Sequence, residues 1–341
     1  RGNLYLSQYL GDLENFDTGR SFQVTLNHLL KLFKAEPECV LADLHPDYYS
    51  TRLGQKLAAE WGVPFLQYQH HEAHFAAVLA ENLLLNIEEP VLGVIWDGTG
   101  LGSDGQVWGG EFFRYEAGQM QRTGQLAYFP FILGDKMPRE PRISALASCH
   151  DLPEAQPLLE SQFSPTEWGV YQTLLQKPAA LHTSSIGRLF DAAAALLGLA
   201  SRSSYEGEAA MLLENAALRA FQRSGLDAYA GYELPDASSS AMQAIALLRP
   251  LAEGMRSGRP VEELAAQFHV TLVRWIEKAA QMQQVRRIAF SGGVFQNAVL
   301  ADLLQHRLGS AFTLYFHRQL SPNDEGIAFG QMVLYGQRRK A

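Results

Sequence analysis

The sequence predicts an α/β fold, and two features of the order of its segments indicate it. Short apolar runs of strand length alternate with segments in which apolar residues recur every three or four positions, the spacing of an amphipathic helix. Several of the strand-like runs end in polar or glycine-rich turns, and open α/β sheets bind ligands at that edge. With 341 residues, the chain is long enough to bury a sizeable core divided between two lobes.

The first part of the chain alternates helix and strand. Ser21 is predicted to cap a helix that continues to about Lys34, with its apolar residues on one face. The apolar run at 39–42 predicts a buried strand, and a polar loop follows it. Ser50 is predicted to begin a second helix that ends near Trp61. This order is typical of an α/β fold.

Three of the ten histidines, His70, His71 and His74, lie at the start of the next predicted helix. Positions i and i+4 of a helix share one face, so His70 and His74 project side by side and could hold one metal ion. His71 points about a quarter turn away and would miss that ion. A surface pair or a packed core pair is the simpler alternative. A metalloprotease site is excluded, because no glutamate directly follows the first histidine of the pair.

A metal at this pair needs further ligands, and Asp97 is one candidate. The strand predicted at 90–96 leads into a glycine-rich turn that contains Gly98 and Gly100, and a strand returns at 107–115. Such a turn lets backbone N–H groups approach an anion, although a plain glycine-rich hairpin explains it equally well. The turn matches neither a P-loop nor a dinucleotide-binding fingerprint. Asp97, at the carboxyl end of its strand, could bind a metal directly or through water.

The middle of the chain is predicted to be mainly helical. The charged, proline-containing segment 134–142 is a lobe boundary, a substrate loop or a solvated linker, and helices with two breaks follow it. Ser184 opens an alanine-rich helix on which Asp191 is a polar exception that could accept a hydrogen bond from a ribose hydroxyl. A further helix follows Gly207, and the stretch 225–243 is rich in loop residues.

The last third adds a second glycine turn and a second candidate metal ligand. A helix begins near Pro260, and His269 on it is predicted to be a packed or capping histidine. The strand at 287–290 leads into Gly292 and Gly293 and then into a helix, an arrangement that binds anions or nucleotides. After a strand at 312–316, Asp324 lies at the start of the final helix, as a helix cap or as a metal ligand.

Composition narrows the function classes. A formal net charge of −8 argues against a free-standing nucleic-acid-binding protein. The two cysteines, Cys39 and Cys149, form no disulfide framework or CxxC site, fit a reducing cytoplasm and are predicted to be buried rather than catalytic. No signal peptide is visible, and no apolar run approaches membrane-spanning length. The start at Arg1 rather than Met suggests a fragment of a longer protein or a processed chain.

Taken in order, these motifs resemble those of the acetate kinase/sugar kinase/Hsp70/actin superfamily. The order is a strand with Asp-Gly-Thr-Gly, a Phe-Asp helix, a Tyr-x-Gly loop, Ser-Gly-Gly-Val-x-x-Asn and Asn-Asp-x-Gly. More specifically, the chain resembles the carbamoyltransferase domain of the HypF hydrogenase maturation family, which is similar to TsaD. The Asp-Leu-His-Pro-Asp-Tyr segment at 43–48 and Trp-Gly-Gly-Glu-Phe at 108–112 favour HypF over TsaD. The segments 6–8 and 11–14 fit as well, whereas Leu133-Gly134 replaces a usual pair of glycines.

The resemblance implies a two-lobed actin/Hsp70-like fold with a ligand cleft between the lobes. The first lobe would comprise 1–130 plus 319–341 and the second 131–318, so that the chain end returns Asp324 to the histidine pair. A divalent ion, iron or zinc, would be bound by four residues that also act in catalysis through the metal: His70, His74, Asp97 and Asp324. The nucleotide would be carbamoyl adenylate, ATP or AMP, with Mg²⁺ as an additional ion. The residues that would bind it are Gly98, Gly100, Asp191, Gly207, Gly292, Gly293 and Asn297.

The resemblance also implies a reaction and partners. The carbamoyl group of carbamoyl adenylate would pass to the C-terminal cysteine of HypE, a step toward the cyanide ligands of NiFe hydrogenase. Full-length members carry upstream acylphosphatase, zinc-finger and YrdC-like domains, which this sequence lacks. His71 would assist near the site without acting as a base. No nucleic acid or membrane partner is expected.

Four alternative functions are compatible with the same motifs. A small-molecule O-carbamoyltransferase would share both sites and differ in its acceptor. A tRNA-modifying transferase fits the charge less well. A kinase or ATPase of the same superfamily would need Mg²⁺ and no histidine pair, so the identity of the metal distinguishes it. A non-catalytic docking module for HypE would bind without turnover.

Overall fold

A computed structural model of the chain describes residues 3–8, 10–11, 13, 15–234 and 241–339. The strands are β1 (Val40–Asp43), β2 (Phe65–Tyr68), β3 (Val91–Leu101), β4 (Val107–Glu116), β5 (Gln119–Leu126), β6 (Phe129–Phe131), β7 (Leu181–Thr183), β8 (Ala241–Met242), β9 (Arg287–Ser291) and β10 (Thr313–Tyr315). The helices are α1 (Phe16–Phe33), α2 (Tyr49–Trp61), α3 (His70–Glu81), α4 (Lys136–Arg139), α5 (Pro141–Ser148), α6 (Gln156–Glu160), α7 (Pro165–Leu175), α8 (Ile186–Leu196), α9 (Glu208–Ser224), α10 (Ala244–Arg256), α11 (Val261–Met282), α12 (Ala298–Leu308) and α13 (Ile327–Arg338). Short 3-10 turns, Gly293–Gln296 and Asp324–Gly326, precede α12 and α13.

An eight-stranded mixed sheet forms the centre of the molecule. Its main order is β10-β9-β3-β4-β5-β8, β7 pairs with β4, and β6 pairs with β7. Strand β3 runs antiparallel to β4 and parallel to β9, with Val91 opposite Arg287 and Ile95 opposite Ser291. Strands β1 and β2 form a separate parallel pair. The α/β fold is therefore confirmed.

Strand β3 divides the apolar interior into two cores because its side chains alternate between the faces of the sheet. Leu92, Val94 and Trp96 join the larger core, which the helices α5, α8, α9, α11 and α12 cover. Val91 and Ile95 join the smaller core on the face covered by α3. A strand buried on both faces is continuously apolar, as this one is up to residue 96.

The last helix returns to the first half of the chain. Helix α13 packs against α3 so closely that a Cβ on Gly330 would lie 1.9 Å from the carbonyl oxygen of Ala73. Only glycine permits that approach. The crossing brings the turn that contains Asp324 to the histidine end of α3, the position that the family resemblance implied for it.

Several predicted boundaries are wrong in detail. Helix α1 begins at Phe16 rather than near Ser21, because Asn15 caps it by accepting hydrogen bonds from the backbone N–H groups of the first turn. Strand β3 continues to Leu101, so Gly98 and Gly100 are part of an irregular strand, and the turn before β4 is confined to residues 102–106. Its pairing with β4 shifts register between Trp96 and Gly100. Strands β2, β5, β6, β7 and β8 and helix α10 were not predicted.

The sheet also crosses residue 130, where the sequence placed a lobe boundary. Strands β3 to β5 from the predicted first lobe share the sheet with β9 and β10 from the predicted second lobe. The division of the chain into those lobes stays a prediction. Asp12 and Glu14 of the quoted 11–14 motif, and 235–240 of the predicted loop, lie outside the described residues.

Within the described residues, none of the helices combines the length and the apolar character needed to span a bilayer.

Candidate metal centre

The structure brings together the four residues that the sequence proposed as metal ligands. One ligand atom each from His70, His74, Asp97 and Asp324 lies within 4.8 Å of every other. The Nε2 atom of His70 is 3.3 Å from Asp97 Oδ2 and 3.6 Å from Asp324 Oδ1. The Nε2 atom of His74 is 3.5 Å from each of the same two oxygens. Three of the four side chains are buried and that of Asp324 is 68% exposed, so the cluster has one open side.

Secondary structure supplies this arrangement. Helix α3 begins at His70 because Gln69 caps it, accepting from the backbone N–H of Glu72 at 2.8 Å. One helical turn then separates His70 from His74, whose ring centroids are 4.9 Å apart. Asp97 follows the last β3 residues that pair with β9, at the carboxyl edge of that parallel pair. Asp324 lies in the 3-10 turn before α13.

The distances fit a small divalent cation. Nitrogen and oxygen donors about 2.0–2.2 Å from one tetrahedral ion lie about 3.3–3.6 Å apart, close to the separations of these atoms. The Nε2 atom of His74 is buried and has no hydrogen-bond partner among the described residues, and 3.5 Å is long for a hydrogen bond to a carboxylate. Two imidazoles with two carboxylates suit zinc or ferrous iron, whereas Mg²⁺ prefers oxygen ligands alone.

The electrostatics show strong mutual dependence within the cluster. Burial alone would lower the pKa of His70, but the carboxylates around it, Asp324 foremost, raise that pKa well above its usual value. The pKa of His74 is raised in the same way, against the effect of burial. Burial would raise the pKa of Asp97, yet the two imidazoles hold it well below its usual range. The cluster thus keeps carboxylates ionised in a buried place, which favours a bound cation.

Hydrogen bonds behind the histidines orient them, and the sequence argument missed these partners. The Nδ1 atom of His70 is 2.8 Å from Asp43 Oδ2, and the other Asp43 oxygen accepts from the backbone N–H of His45. The Nδ1 atom of His74 is 3.1 Å from Ser291 Oγ. A metal-binding histidine normally donates its second ring N–H to such a partner. The position of Asp43 and Ser291 at the ends of β1 and β9 was the available signal.

His71 is buried beside the cluster but has a separate environment. Its Nδ1 lies 3.2 Å from Gln69 Nε2, and its Nε2 has no partner in the described part of the chain. Burial and the neighbouring His70 lower its pKa well below the usual value, so the ring is neutral. Its side chain is not one of the four clustered ligands, as the quarter-turn argument predicted.

The first glycine segment packs against the histidines. A Cβ on Gly100 would lie 2.6 Å from His71 Cε1 and 2.8 Å from His70 Cδ2. Gly98 has open space where a Cβ would point, and its carbonyl accepts a hydrogen bond from Ser185 Oγ. The predicted role of both glycines toward an anion stays a prediction, and for Gly100 the histidine packing is a sufficient reason for glycine.

The second glycine turn adjoins the cluster. Gly292 has φ +106, and a Cβ there would lie 2.1 Å from the carbonyl oxygen of Trp96. The backbone N–H of Gly293 donates to Asp97 Oδ1 at 3.0 Å, which leaves Oδ2 facing the histidines. The turn therefore fixes Asp97 in addition to any role in binding nucleotide, which stays a prediction.

The remaining predicted nucleotide residues make other contacts. Asn297 caps α12, accepting from the Leu300 N–H, and its amide nitrogen is 3.0 Å from His269 Nε2. Asp191 is buried next to Arg188, whose Nε lies 3.0 Å away, and burial raises the Asp191 pKa to about 6. Gly207 precedes α9 with φ +78. The described contacts of these residues go to groups other than the four clustered ligands, so their nucleotide role stays a prediction.

The cysteines are unlike reactive thiols. Cys149 is fully buried, and burial raises its pKa to about 12. Cys39 is only half-buried, so the prediction that both cysteines are buried is wrong for this residue, and neither cysteine forms a disulfide. The cluster of candidate metal ligands contains neither cysteine.

Comparison with known proteins places this arrangement in a family. Residues 1–81 match the family model "HypF Kae1-like domain". Residues 93–331 match "Carbamoyltransferase, Kae1-like Domain, second subdomain". The chain belongs to the HypF carbamoyltransferase family. The first match ends at residue 81, the last residue of α3, and the second begins at residue 93, within β3.

Curated members of the HypF family match almost the whole chain. Carbamoyltransferase HypF2 of Cupriavidus necator is 40% identical over 98% of this chain and 44% of its own length. HypF of Synechocystis is 33% identical over 98% of this chain and 45% of its own length. The chain thus spans less than half the length of these relatives. A shorter HypF homolog from C. necator is 35% identical and is covered over 83% of its length.

Solved HypF structures confirm the fold. A full-length HypF crystal structure, described as the phosphate- and nucleotide-bound form, superposes with a TM-score of 0.86 at 30% identity and covers 98% of this chain and 52% of its own. The HypF structure from T. kodakarensis gives a TM-score of 0.84 at 27% identity, over 98% of this chain and 45% of its own. The fold of this chain is therefore that of the solved HypF proteins, and the resemblance to the HypF family is confirmed.

Proposed function

We propose that this chain carries out the carbamoyl-transfer step of HypF, from carbamoyl adenylate to the C-terminal cysteine of HypE, in the cytoplasm. The observation that carries the proposal is the cluster of His70, His74, Asp97 and Asp324, whose ligand atoms lie within 4.8 Å of one another. Membership in a carbamoyltransferase family supplies the group transferred.

The four clustered residues would hold a divalent cation, iron or zinc. When bound, such an ion supplies Lewis-acid polarisation of the carbamoyl carbonyl or of the adjoining phosphate. The chain's own residues build the place for it. Asp97 is fixed by the backbone N–H of Gly293, and His70 and His74 are held by partners behind their Nδ1 atoms. The exposed side of the cluster, at Asp324, is where the donor would approach.

The nucleotide part of the donor would lie along the second glycine turn. The N–H groups at the start of a helix bind phosphate well, and the segment from Gly292 to Asn297 leads from the cluster to the start of α12. We propose that Asp191 and Gly207 bind the adenosine part of the donor. The nucleotide reported with the solved HypF relative supports this class of ligand.

The acceptor thiol would come from the partner protein. The HypE cysteine sulfur, as thiolate, attacks the carbamoyl carbon, and the bond from that carbon to the AMP phosphate oxygen breaks. The products are S-carbamoyl cysteine and AMP, while the thiol proton passes to solvent. A partner thiol agrees with the chain's own Cys149, whose raised pKa keeps it protonated and inert. A YrdC-like domain of the full-length protein would deliver the carbamoyl adenylate.

The test supplies carbamoyl adenylate and HypE to the purified chain and measures the mass of the HypE C-terminal peptide. The proposal expects a carbamoyl mass increase with the unmodified chain and none with His74→Ala. HypE with its terminal cysteine replaced by serine is the control for the acceptor. Carbamoylation that continues unchanged with His74→Ala would contradict the assignment of the reaction to this cluster.

A further inference from the structure

A line of hydrogen bonds, buried at His74 and partly buried at Glu81, connects the far end of helix α3 with His74 near its beginning. Glu81 Oε2 is 2.7 Å from His317 Nδ1, and the other ring nitrogen, Nε2, is 2.9 Å from Ser291 Oγ. The same hydroxyl oxygen is 3.1 Å from His74 Nδ1. The side chains of Glu81 and His317 are 9% and 3% exposed, and Ser291 and His74 are buried. Water therefore competes little for these bonds.

Each bond in this line has one chemically consistent direction. An ionised carboxylate only accepts, so His317 Nδ1–H donates to Glu81. A neutral His317 then accepts at Nε2 from the Ser291 hydroxyl, and that hydroxyl oxygen accepts from His74 Nδ1–H. The only nitrogen of His74 left with a free lone pair is Nε2, which faces the cluster carboxylates 3.5 Å away.

The charge states that this direction requires agree with the surroundings. Burial would raise the pKa of Glu81, but the backbone N–H of Gln319 and the bond from His317 hold it below its usual value. Burial lowers the pKa of His317, although Glu81 opposes that effect. The carboxylate is therefore ionised and the imidazole neutral near pH 7.

We propose that Glu81, His317 and Ser291 are positioning residues that hold His74 with its proton on Nδ1 and its Nε2 free to bind the metal. The inference rests on the proposed metal at the cluster. Asp43 holds His70 in the same tautomer directly, through one carboxylate. The two histidines are thus oriented differently: a carboxylate contacts His70 directly, whereas His74 is reached through the line of three residues.

Glu81 also holds the segment that carries the fourth ligand. Its Oε1 accepts the backbone N–H groups of Arg318 at 2.9 Å, Gln319, and Leu320 at 3.2 Å. The adjacent Asn82 side chain donates to the carbonyl of Phe316 at 3.0 Å. This segment leads within a few residues to Asp324. One carboxylate therefore helps to position ligands from both ends of the chain.

The substitution Glu81→Gln separates these two roles. The Gln carbonyl oxygen can still accept the three backbone N–H groups, whereas its NH₂ group now donates to His317 Nδ1. Every bond in the line then reverses: His317 Nε2–H donates to Ser291, and the hydroxyl donates to His74 Nδ1. The proton of His74 is transferred to Nε2, where it blocks metal binding. We expect the Zn²⁺ affinity to fall about 10–100-fold, as for other partners behind metal ligands.

The experiment measures Zn²⁺ affinity by competition with a chelating dye for the unmodified chain, Glu81→Gln, Ser291→Ala and Glu72→Gln. Glu72→Gln removes the same charge from the same helix outside the line, and should keep the unmodified affinity. Ser291→Ala interrupts the line and leaves the backbone contacts of Glu81 intact, so it carries the test if Glu81→Gln fails to fold. The losses from Glu81→Gln and Ser291→Ala should not add in the double variant, because both act through one line.

A spectroscopic readout distinguishes positioning from a general structural effect. In the Co²⁺-loaded protein, the Nδ1–H protons of the two ligand histidines are exchangeable and shifted by the paramagnetic ion. We expect Glu81→Gln to remove the His74 signal and to leave the His70 signal, which Asp43 protects.

Unchanged Zn²⁺ affinity together with both signals in Glu81→Gln would overturn this inference and leave the proposed function intact. An equal loss in Glu72→Gln would likewise overturn it in favour of a general charge effect. Failure of the unmodified chain to bind Zn²⁺ or Co²⁺ would instead contradict the metal assignment itself, and this inference with it.

Discussion

The buried pair His70 and His74 differs from the buried His269 in the groups that the ring nitrogens contact. His70 and His74 point Nε2 toward the carboxylates of Asp97 and Asp324, at 3.3–3.6 Å. His269, on α11, has its Nδ1 2.8 Å from the Ala265 carbonyl and its Nε2 toward the Asn297 amide. Carboxylates raise the pKa of the first pair, whereas burial lowers the pKa of His269 to about 4.

These histidines are almost equally buried, so the difference in their partners distinguishes a binding site from a structural contact. Both nitrogens of His269 are satisfied by neutral partners, so its ring holds Asn297, the residue that caps α12. The cluster, in contrast, leaves the Nε2 of His74 without a partner beside ionised oxygens. A buried polar atom without a partner is costly unless a ligand completes it. The comparison therefore supports the proposed cation site at the cluster and a structural role for His269.

The largest expected effect is on the pH dependence of folding stability, to which His269 and His70 contribute with opposite signs. The pKa of His269 is about 4 folded against about 6.5 unfolded, so the unfolded state binds more protons between these values. The contribution of the neutral His269 ring to the free energy of unfolding is fully present above about pH 6.5. About 3 kcal/mol of it is lost as the pH falls to about 4. His70 has the opposite sign in the metal-free chain, because a raised folded pKa stabilises at low pH and is lost as the pH rises through it.

Denaturant unfolding of the metal-free chain and His269→Gln, at about pH 7.5 and about pH 5, measures this effect. The unmodified chain should lose more stability on acidification than His269→Gln. Equal losses would show that His269 is not held neutral.

The two glycines of β3 give the next test, on metal affinity. A Cβ on Gly100 would strike the rings of His71 and His70, whereas one on Gly98 would meet nothing within 4 Å. We expect Gly100→Ala to lower Zn²⁺ affinity by about 10–100-fold, because the His70 ring must move. Gly98→Ala is the matched control for Zn²⁺. Competition titration of both variants decides, and equal affinities would show that the histidines tolerate displacement.

The packing of α13 on α3 gives a paired test of stability. Gly330→Ala places a Cβ 1.9 Å from the Ala73 carbonyl oxygen, while Gly336, on the same helix, has nothing within 4 Å. Gly330→Ala should cost about 1–3 kcal/mol through overpacking. Gly336→Ala should stabilise by up to about 1 kcal/mol through helix propensity. Chemical denaturation measures both, and a neutral Gly330→Ala would contradict the close crossing that carries Asp324.

The smallest effect is expected at Gly207, in the predicted nucleotide region. This residue has φ +78 but open space for a Cβ, so Gly207→Ala should cost about 1 kcal/mol. If adenosine binds there, the added methyl group also lowers AMP affinity while Zn²⁺ affinity stays the same. Calorimetric titration with AMP checks this. Unchanged AMP affinity would place the nucleotide elsewhere.

The sequence predicted the cluster better than it predicted the fold around it. Helical spacing placed His70 and His74 on one face, and a strand end and a helix start made Asp97 and Asp324 candidate ligands. The family resemblance then joined the four residues into one site. Asp43 and Ser291 escaped notice because a partner behind a ligand is defined by tertiary contact rather than by spacing. The start of α1 was wrong because Asn15 outcompetes Ser21 as a cap, which depends on backbone geometry.

The limits of pattern reasoning are clearest around β3. Its glycines indicate a turn by composition, yet pairing with β4 across a register shift keeps the segment extended to Leu101. The short strands β6, β7 and β8 have two or three residues each, too few for an alternating pattern to show. Glu81 and His317 lie far apart in sequence, and only the fold brings them to 2.7 Å.

The metal content of the purified chain tests the central claim most directly. Elemental mass spectrometry would compare the unmodified chain with the double variant His70→Ala/His74→Ala, after circular dichroism confirms that both are folded. The cluster predicts about one zinc or iron per unmodified chain and none in the double variant. A metal that persists in the double variant, or an unmodified chain that binds nucleotide with Mg²⁺ and takes up neither zinc nor iron, would contradict it.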